Sequence, residues 1–137
     1  MQIKHRDINS IIPYANNPRV NDAAVDAVAA SIREFGFRQP IVVDADSVIV
    51  VGHARYKAAL KLGLAKVPVH VATDLSPEQV KAYRLADNKT AECAEWDFEK
   101  LSAELEELAD FDKPGYFRWR QHCISYHRVV FRLRLMQ

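Results

Sequence analysis

The sequence predicts a mixed α/β domain: a small mixed sheet flanked by helices, with further helices toward the C-terminus. Three observations carry this. Apolar runs of strand length, Ile41-Val42-Val43 and Val48-Ile49-Val50-Val51, lie on either side of a polar turn. Apolar residues at helical spacing precede and follow them. Glycines or capping residues stand at the changeovers.

Val25, Val28, Ile32 and Phe35 recur at spacings of three, four and three from Asp22, and Gly36 stands where a helix stop belongs. Pro40 opens the first apolar run, Asp44 to Ser47 form a turn, and Val48 to Val51 follow as a hairpin partner or an adjacent strand. After Gly52 a helix is expected from His53 to Leu62, with Tyr56, Ala59 and Leu60 on one face and Gly63 as terminator. Val67 to Val71 make another strand. Ser76, Pro77 and Gln79 supply an N-cap, a first-turn proline and a capping-box partner for a helix reaching about Ala86. The last helix starts near Asp97, with Phe98, Leu101, Leu105 and Leu108 on its buried stripe and Glu104, Glu106 and Glu107 toward water. In the tail, Val129, Phe131, Leu133 and Leu135 alternate with Arg132 and Arg134 as in a strand, an edge open to this sheet, a second subunit or self-association.

At 137 residues, 49% hydrophobic and 27% charged, the chain has one globular domain's worth of sequence, at roughly 100–200 residues per domain. No apolar run exceeds four residues, far below the roughly 18 of a membrane span. The first ten residues hold Lys4, His5, Arg6 and Asp7 and no signal-peptide pattern, so a cytoplasmic setting is expected. Cys93 and Cys123 lack metal or redox spacing and read as plain thiols. Charge is uneven. Residues 1–110 carry 13 Lys/Arg against 17 Asp/Glu, whereas residues 111–137 carry six Lys/Arg against one Asp. Such a basic tail either attracts nucleic acid or is simply solvated.

The segment with chemical content is Val48 to Ala59, where an apolar strand delivers Gly52 to a helix N-terminus. The first N–H groups of a helix lack intrahelical partners and carry partial positive charge, so they suit an anion. Arg55 adds a fork of donors, and Lys57 or His53 adds further donors. The alternative is a tight turn that needs Gly52, with solvated charges around it and His53 capping the helix. Neither the P-loop pattern nor the dinucleotide fingerprint is present. Asp87 and Asn88 read either as a helix end or as ligands. His5, His70, His122 and His127 show no ligand spacing.

Gly52-His53-Ala54-Arg55-Tyr56-Lys57-Ala58-Ala59 resembles the Gly-Glu-Arg-Arg-Tyr-Arg-Ala-Ala phosphate box of the ParB N-terminal branch of the ParB/sulfiredoxin-like superfamily. Asn16-Asn17-Pro18-Arg19 resembles that family's first box, and Ala29 to Gly36 with Gln39 to Val43 its helix and strand before the loop. Leu85-Ala86-Asp87-Asn88-Lys89 stands where the family has Glu-Asn-x-x-Arg. The resemblance covers roughly residues 3–110. It implies a nucleotide-binding domain over residues 1–110 followed by an atypical or truncated basic tail, 111–137. ParB proteins bind CTP with Mg2+ as a switch on a DNA-bound dimer. Carried over, the loop Gly52, His53, Ala54, Arg55 and Lys57 would contact phosphates, joined by Arg19. Asn88 and Asp87 would stand at the magnesium-phosphate end.

This sequence departs from the family with His53 for Glu, Ala54 for Arg, Asp87 for Glu and Ala91 for the last Arg. CTP and ATP, and turnover or none, therefore stay open. The looser pattern is similar to phage-borne and methyltransferase-associated versions. The expected role is in DNA partition, phage DNA metabolism or regulation of a DNA modification enzyme, with a DNA methyltransferase or partition protein as partner, DNA contacts weak and tail-driven, and a homodimer as assembly. The alternatives are a phosphoryl-transfer enzyme of the superfamily (a weak NTPase, nuclease or small-molecule kinase, with Asp87, Glu34 or Asp22 as its carboxylate) and a nucleotide-free interaction module. Sulfiredoxin chemistry is disfavoured because the loop holds no cysteine.

Overall fold

In a computed structural model of the chain, residues 1–17, 22–95 and 97–107 are described. They form strands β1 (Lys4–Asp7), β2 (Ile41–Val43), β3 (Ile49–Val51) and β4 (Lys66–Val71). The helices are α1 (Asp22–Phe35), α2 (His53–Lys61), α3 (Pro77–Glu92) and α4 (Phe98–Glu107), and a short 3-10 turn, Ile8–Ser10, follows β1. The sheet order is β1-β4-β2-β3. β2 lies parallel to β4, pairing Ile41 with Val69 and Val43 with Val71, and antiparallel to β3, pairing Val42 with Val51. The mixed sheet flanked by helices is the architecture expected from the sequence.

Ile41, Val43, Ile49, Val67 and Val69 are the largest fully buried side chains, and with Ile8, Ile11 and Ala59 they make the core. Each such aliphatic group withdrawn from water contributes on the order of 1.5–3 kcal/mol. α1 packs on α2, and alanines occupy the buried positions of both: Ala29 and Ala30, Ala58 and Ala59. Leu60, expected on the inner face of α2, is instead 48% exposed. The small residues, not the large one, face inward.

Three further findings differ from expectation. β1 was not foreseen: Lys-His-Arg-Asp has no apolar alternation. Its backbone nevertheless pairs antiparallel with β4, from Lys4 opposite Val69 to Asp7 opposite Lys66, and a polar edge strand is one way a sheet avoids further pairing. α3 continues past Ala86 to Glu92, so Asp87 and Asn88 lie within a helix rather than at its end. No Gly or Pro interrupts it, and the Thr90 hydroxyl donates back to the Ala86 carbonyl at 2.8 Å. α4 leaves Phe98 41% exposed and Leu101 half-buried, short of the buried stripe expected.

The capping box at α3 forms as expected, with Gln79 N–H donating to Ser76 Oγ at 3.2 Å and Ser76 N–H to Gln79 Oε1 at 2.9 Å. Arg19, Leu108 and the 111–137 tail with its expected strand lie outside the described residues. Among those described, no helix is long and apolar enough to cross a membrane.

Candidate functional site: the first turn of α2

Gly52 links β3 to α2 with φ of 106°, a region that L side chains rarely enter. A Cβ there would stand 3.3 Å from Ile41 Cγ1 and 3.4 Å from Ile41 Cα. Both backbone conformation and crowding against β2 therefore require glycine. The first backbone bond of the helix runs from Tyr56 N–H to the Gly52 carbonyl at 2.9 Å. The N–H groups of His53, Ala54 and Arg55 precede that ladder, and Gly52 has no side chain to cap them. The first turn holds no acidic residue, so its positive end is not neutralised from within the helix.

His53 is not a charged ligand of this turn. Its Nε2 accepts the backbone N–H of Tyr14 at 3.2 Å, which makes the imidazole neutral with its proton on Nδ1. Burial lowers its pKa below the ordinary 6.5, and the nearby charges of Arg84 and Lys57 lower it further. The residue therefore fastens the segment ahead of α1 to the loop.

Arg55 is half-buried and turns inward. Its Nη1 donates to the Pro40 carbonyl at 2.5 Å and to the Gln39 carbonyl at 3.4 Å. Burial lowers its pKa, opposed by the Asp87 carboxylate and by Tyr83, both on α3. Arg55 also lines a cleft of about 470 Å³ beside the end of α1, together with Ile32, Phe35, Phe37 and Arg38. Lys57 is exposed one turn along α2, and Asp87 and Asn88 are half-buried on α3. The fold thus gathers Gly52, His53, Ala54 and Arg55 on one turn and sets Asp87 within electrostatic reach of Arg55.

Arg84 is the residue that the sequence reading missed. Only 9% exposed, it donates from Nε to the Ile49 carbonyl at 3.1 Å and from Nη2 to Asp44 Oδ2 at 3.3 Å. Its guanidinium carbon lies 3.9 Å from the centroid of the Tyr14 ring. Asp44 in turn accepts the N–H groups of Asp46 and Val48 at Oδ1, at 2.9 and 3.0 Å, closing the β2–β3 turn. The signal was present: Arg84 falls four residues after Val80, a buried position of α3, so a charge there needs partners. Among the described residues no three His, Cys, Asp or Glu side chains gather as a cation site. Asp87 and Asn88 are consecutive on α3 and so do not face each other; either one alone suits Mg2+ only if phosphates supply the other ligands.

Comparison with known proteins places these features in a family. The ParB N-terminal domain matches residues 1–89. The chain is 35% identical over 80 residues to the ParB-like nuclease domain-containing protein YnaK of Escherichia coli K12, covering 58% of this chain and 92% of that protein. It is 36% identical over 93 residues to the nucleoid occlusion protein of Bacillus cereus strain B4264, covering 64% of this chain but only 32% of the relative. Among solved structures, the C-terminally truncated chromosome-partitioning protein ParB of Caulobacter crescentus, complexed with CTP-γ-S, superposes with a TM-score of 0.68 at 24% identity, covering 80% of this chain and 64% of that one. Sulfiredoxin of Arabidopsis thaliana gives 0.51 at 25% identity, over 61% of this chain and 97% of that one. The chain belongs to the ParB N-terminal domain family.

Proposed function

We propose that this domain holds the phosphates of a nucleoside triphosphate at the first turn of α2 and serves a DNA partition-related role. The observation that carries the reading is the loop itself. Gly52, at φ 106° and pressed against Ile41, presents three N–H groups that precede the helical ladder, with Arg55 and Lys57 on the same helix and no acid in its first turn. Two likenesses support it: a protein of the same fold is complexed with CTP-γ-S, and relatives include nucleoid occlusion proteins. The chain spans about a third of those relatives, so the DNA contacts, the dimer and a DNA modification enzyme as partner belong to this proposal too.

The nucleotide in this proposal is CTP or ATP, and the setting the cytoplasm. Mg2+ would take oxygens from the phosphates and from Asp87 or Asn88, screening the phosphate charge. The chain's own part is to bind and orient. Backbone N–H groups fix the phosphate position, Lys57 adds charge from the exposed side, and Arg55 braces the entry of β2 through Pro40. Calorimetry with CTP, ATP, GTP and ADP, each with and without Mg2+, tests this. A triphosphate that binds wild type and loses about tenfold or more in affinity in Lys57→Ala is expected, since hydrogen bonds to charged groups are worth roughly 1.5–3 kcal/mol. Absence of binding by all four nucleotides would overturn it.

A further inference from the structure

We propose that Arg84 is a positioning residue of this site: by taking the Ile49 carbonyl and stacking on the Tyr14 ring, it turns the Tyr14 N–H away from β3 and onto His53 at the first turn of α2. Only the consequence for ligand rests on the phosphate reading.

The chain ahead of α1 begins as one more strand. β3 stands at an edge of the sheet, and Ile12 pairs with it in parallel at Val48. Ile12 N–H donates to the Ser47 carbonyl and Ile49 N–H to the Ile12 carbonyl, both at 2.8 Å. Alternate residues of a parallel ladder face the partner strand, so the next rung would run from Tyr14 N–H to the Ile49 carbonyl. Pro13 is no obstacle, because it is the residue that faces away from β3. That rung is not made. The Ile49 carbonyl accepts Arg84 Nε at 3.1 Å, and Tyr14 N–H donates to His53 Nε2 at 3.2 Å.

The guanidinium carbon of Arg84 lies 3.9 Å from the centroid of the Tyr14 ring. The side chain that occupies the carbonyl therefore also holds the residue it displaces. Asp44 Oδ2, 3.3 Å from Arg84 Nη2, keeps the guanidinium at the β2–β3 turn. The Tyr14 carbonyl accepts the Asn17 N–H at 3.2 Å, so the turn that leads toward α1 starts from the same anchored residue. With Tyr14 returned to β3, His53 would lose its tie to this segment, and the N–H groups beside it would be less well ordered for an anion.

Scalar couplings across hydrogen bonds, measured by NMR on the full ligand-free chain, identify the acceptor of Tyr14 N–H directly. A 15N–15N coupling marks His53 Nε2, and a 15N–13C coupling marks the Ile49 carbonyl. Asp44→Asn is the background for the test, since removing Arg84 alone would leave the Asp44 carboxylate unpaired. Wild type and Asp44→Asn are expected to show the coupling to His53. Adding Arg84→Met should abolish it and bring in the coupling to Ile49, whereas a merely structural loosening would remove the first without creating the second. Three results would each overturn the proposal: a wild type without the His53 coupling, which needs no variant to fold; a change of acceptor in Asp44→Asn alone; or a folded double variant whose Tyr14 N–H stays on His53 or pairs with neither group. Calorimetry with CTP and with ATP, each with Mg2+, reads the consequence at the site. Affinity about fivefold lower in the double variant than in Asp44→Asn is expected, the size of a cation–π contact, and equal affinity would overturn the role at the site. If neither nucleotide binds wild type while the couplings behave as stated, the phosphate reading falls and the change of acceptor stands.

Discussion

A Cβ built on Gly52 would lie 3.3 Å from Cγ1 of Ile41, at the point where β3 turns into α2 beside the start of β2. A side chain at this point would press on β2 from the loop. Gly52→Ala combines that crowding with a φ of 106°, and strain of this kind costs on the order of 1–3 kcal/mol. Urea denaturation should show a loss in that range. Unchanged stability would mean that the loop relaxes freely.

Stability should also depend on pH through His53. Its folded pKa lies below the ordinary 6.5, chiefly through burial, so the unfolded chain binds the extra proton first. The sign follows directly: this contribution to stability is full above about pH 6.5 and declines as pH falls from there toward the lowered folded value. Comparing urea midpoints at pH 7.5 and 5.5 in wild type and His53→Gln isolates it. The variant, whose side-chain carbonyl can still accept from Tyr14, should lose part of the slope.

Arg84 and Asp44 form the better-buried of the described ion pairs, with side chains 10% and 20% exposed. Removing one partner leaves the other poorly solvated, which in buried pairs costs about 3–5 kcal/mol. Asp44→Ala should approach that range, because it also frees the N–H groups of Asp46 and Val48. The pair of Lys61 and Asp26, 58% and 57% exposed, provides the contrast. Lys61→Ala should change stability by less than about 1 kcal/mol. Thermal or chemical melts of the two variants decide both statements, and similar losses in each would contradict them.

The contrast between these two pairs shows what the sequence could convey. Elements marked by apolar periodicity and a stop signal were legible: α1 up to Gly36, the β2–β3 hairpin, α2 up to Gly63, and the capping box that starts α3. β1 was not, because its residues carry no pattern and it exists through backbone pairing with β4. The inner face of α2 was misjudged because hydropathy gives weight to Leu60, whereas close helix packing selects Ala58 and Ala59. At the site, the glycine and the unpartnered N–H groups followed from Gly52 at a helix start. The inward turn of Arg55 onto Pro40, the tie between Tyr14 and His53, and the burial of Arg84 did not. Each joins residues distant along the chain, which no local pattern records.

Backbone N–H groups at the start of α2 that hold phosphate must respond to nucleotide. The most direct measurement is the amide 1H-15N spectrum of the chain during titration with Mg2+ and CTP, then with ATP. The His53, Ala54 and Arg55 amides are expected to move first and farthest, and their response to be lost in Gly52→Ala variants that remain folded. Saturating nucleotide that leaves those three amides in place would contradict it.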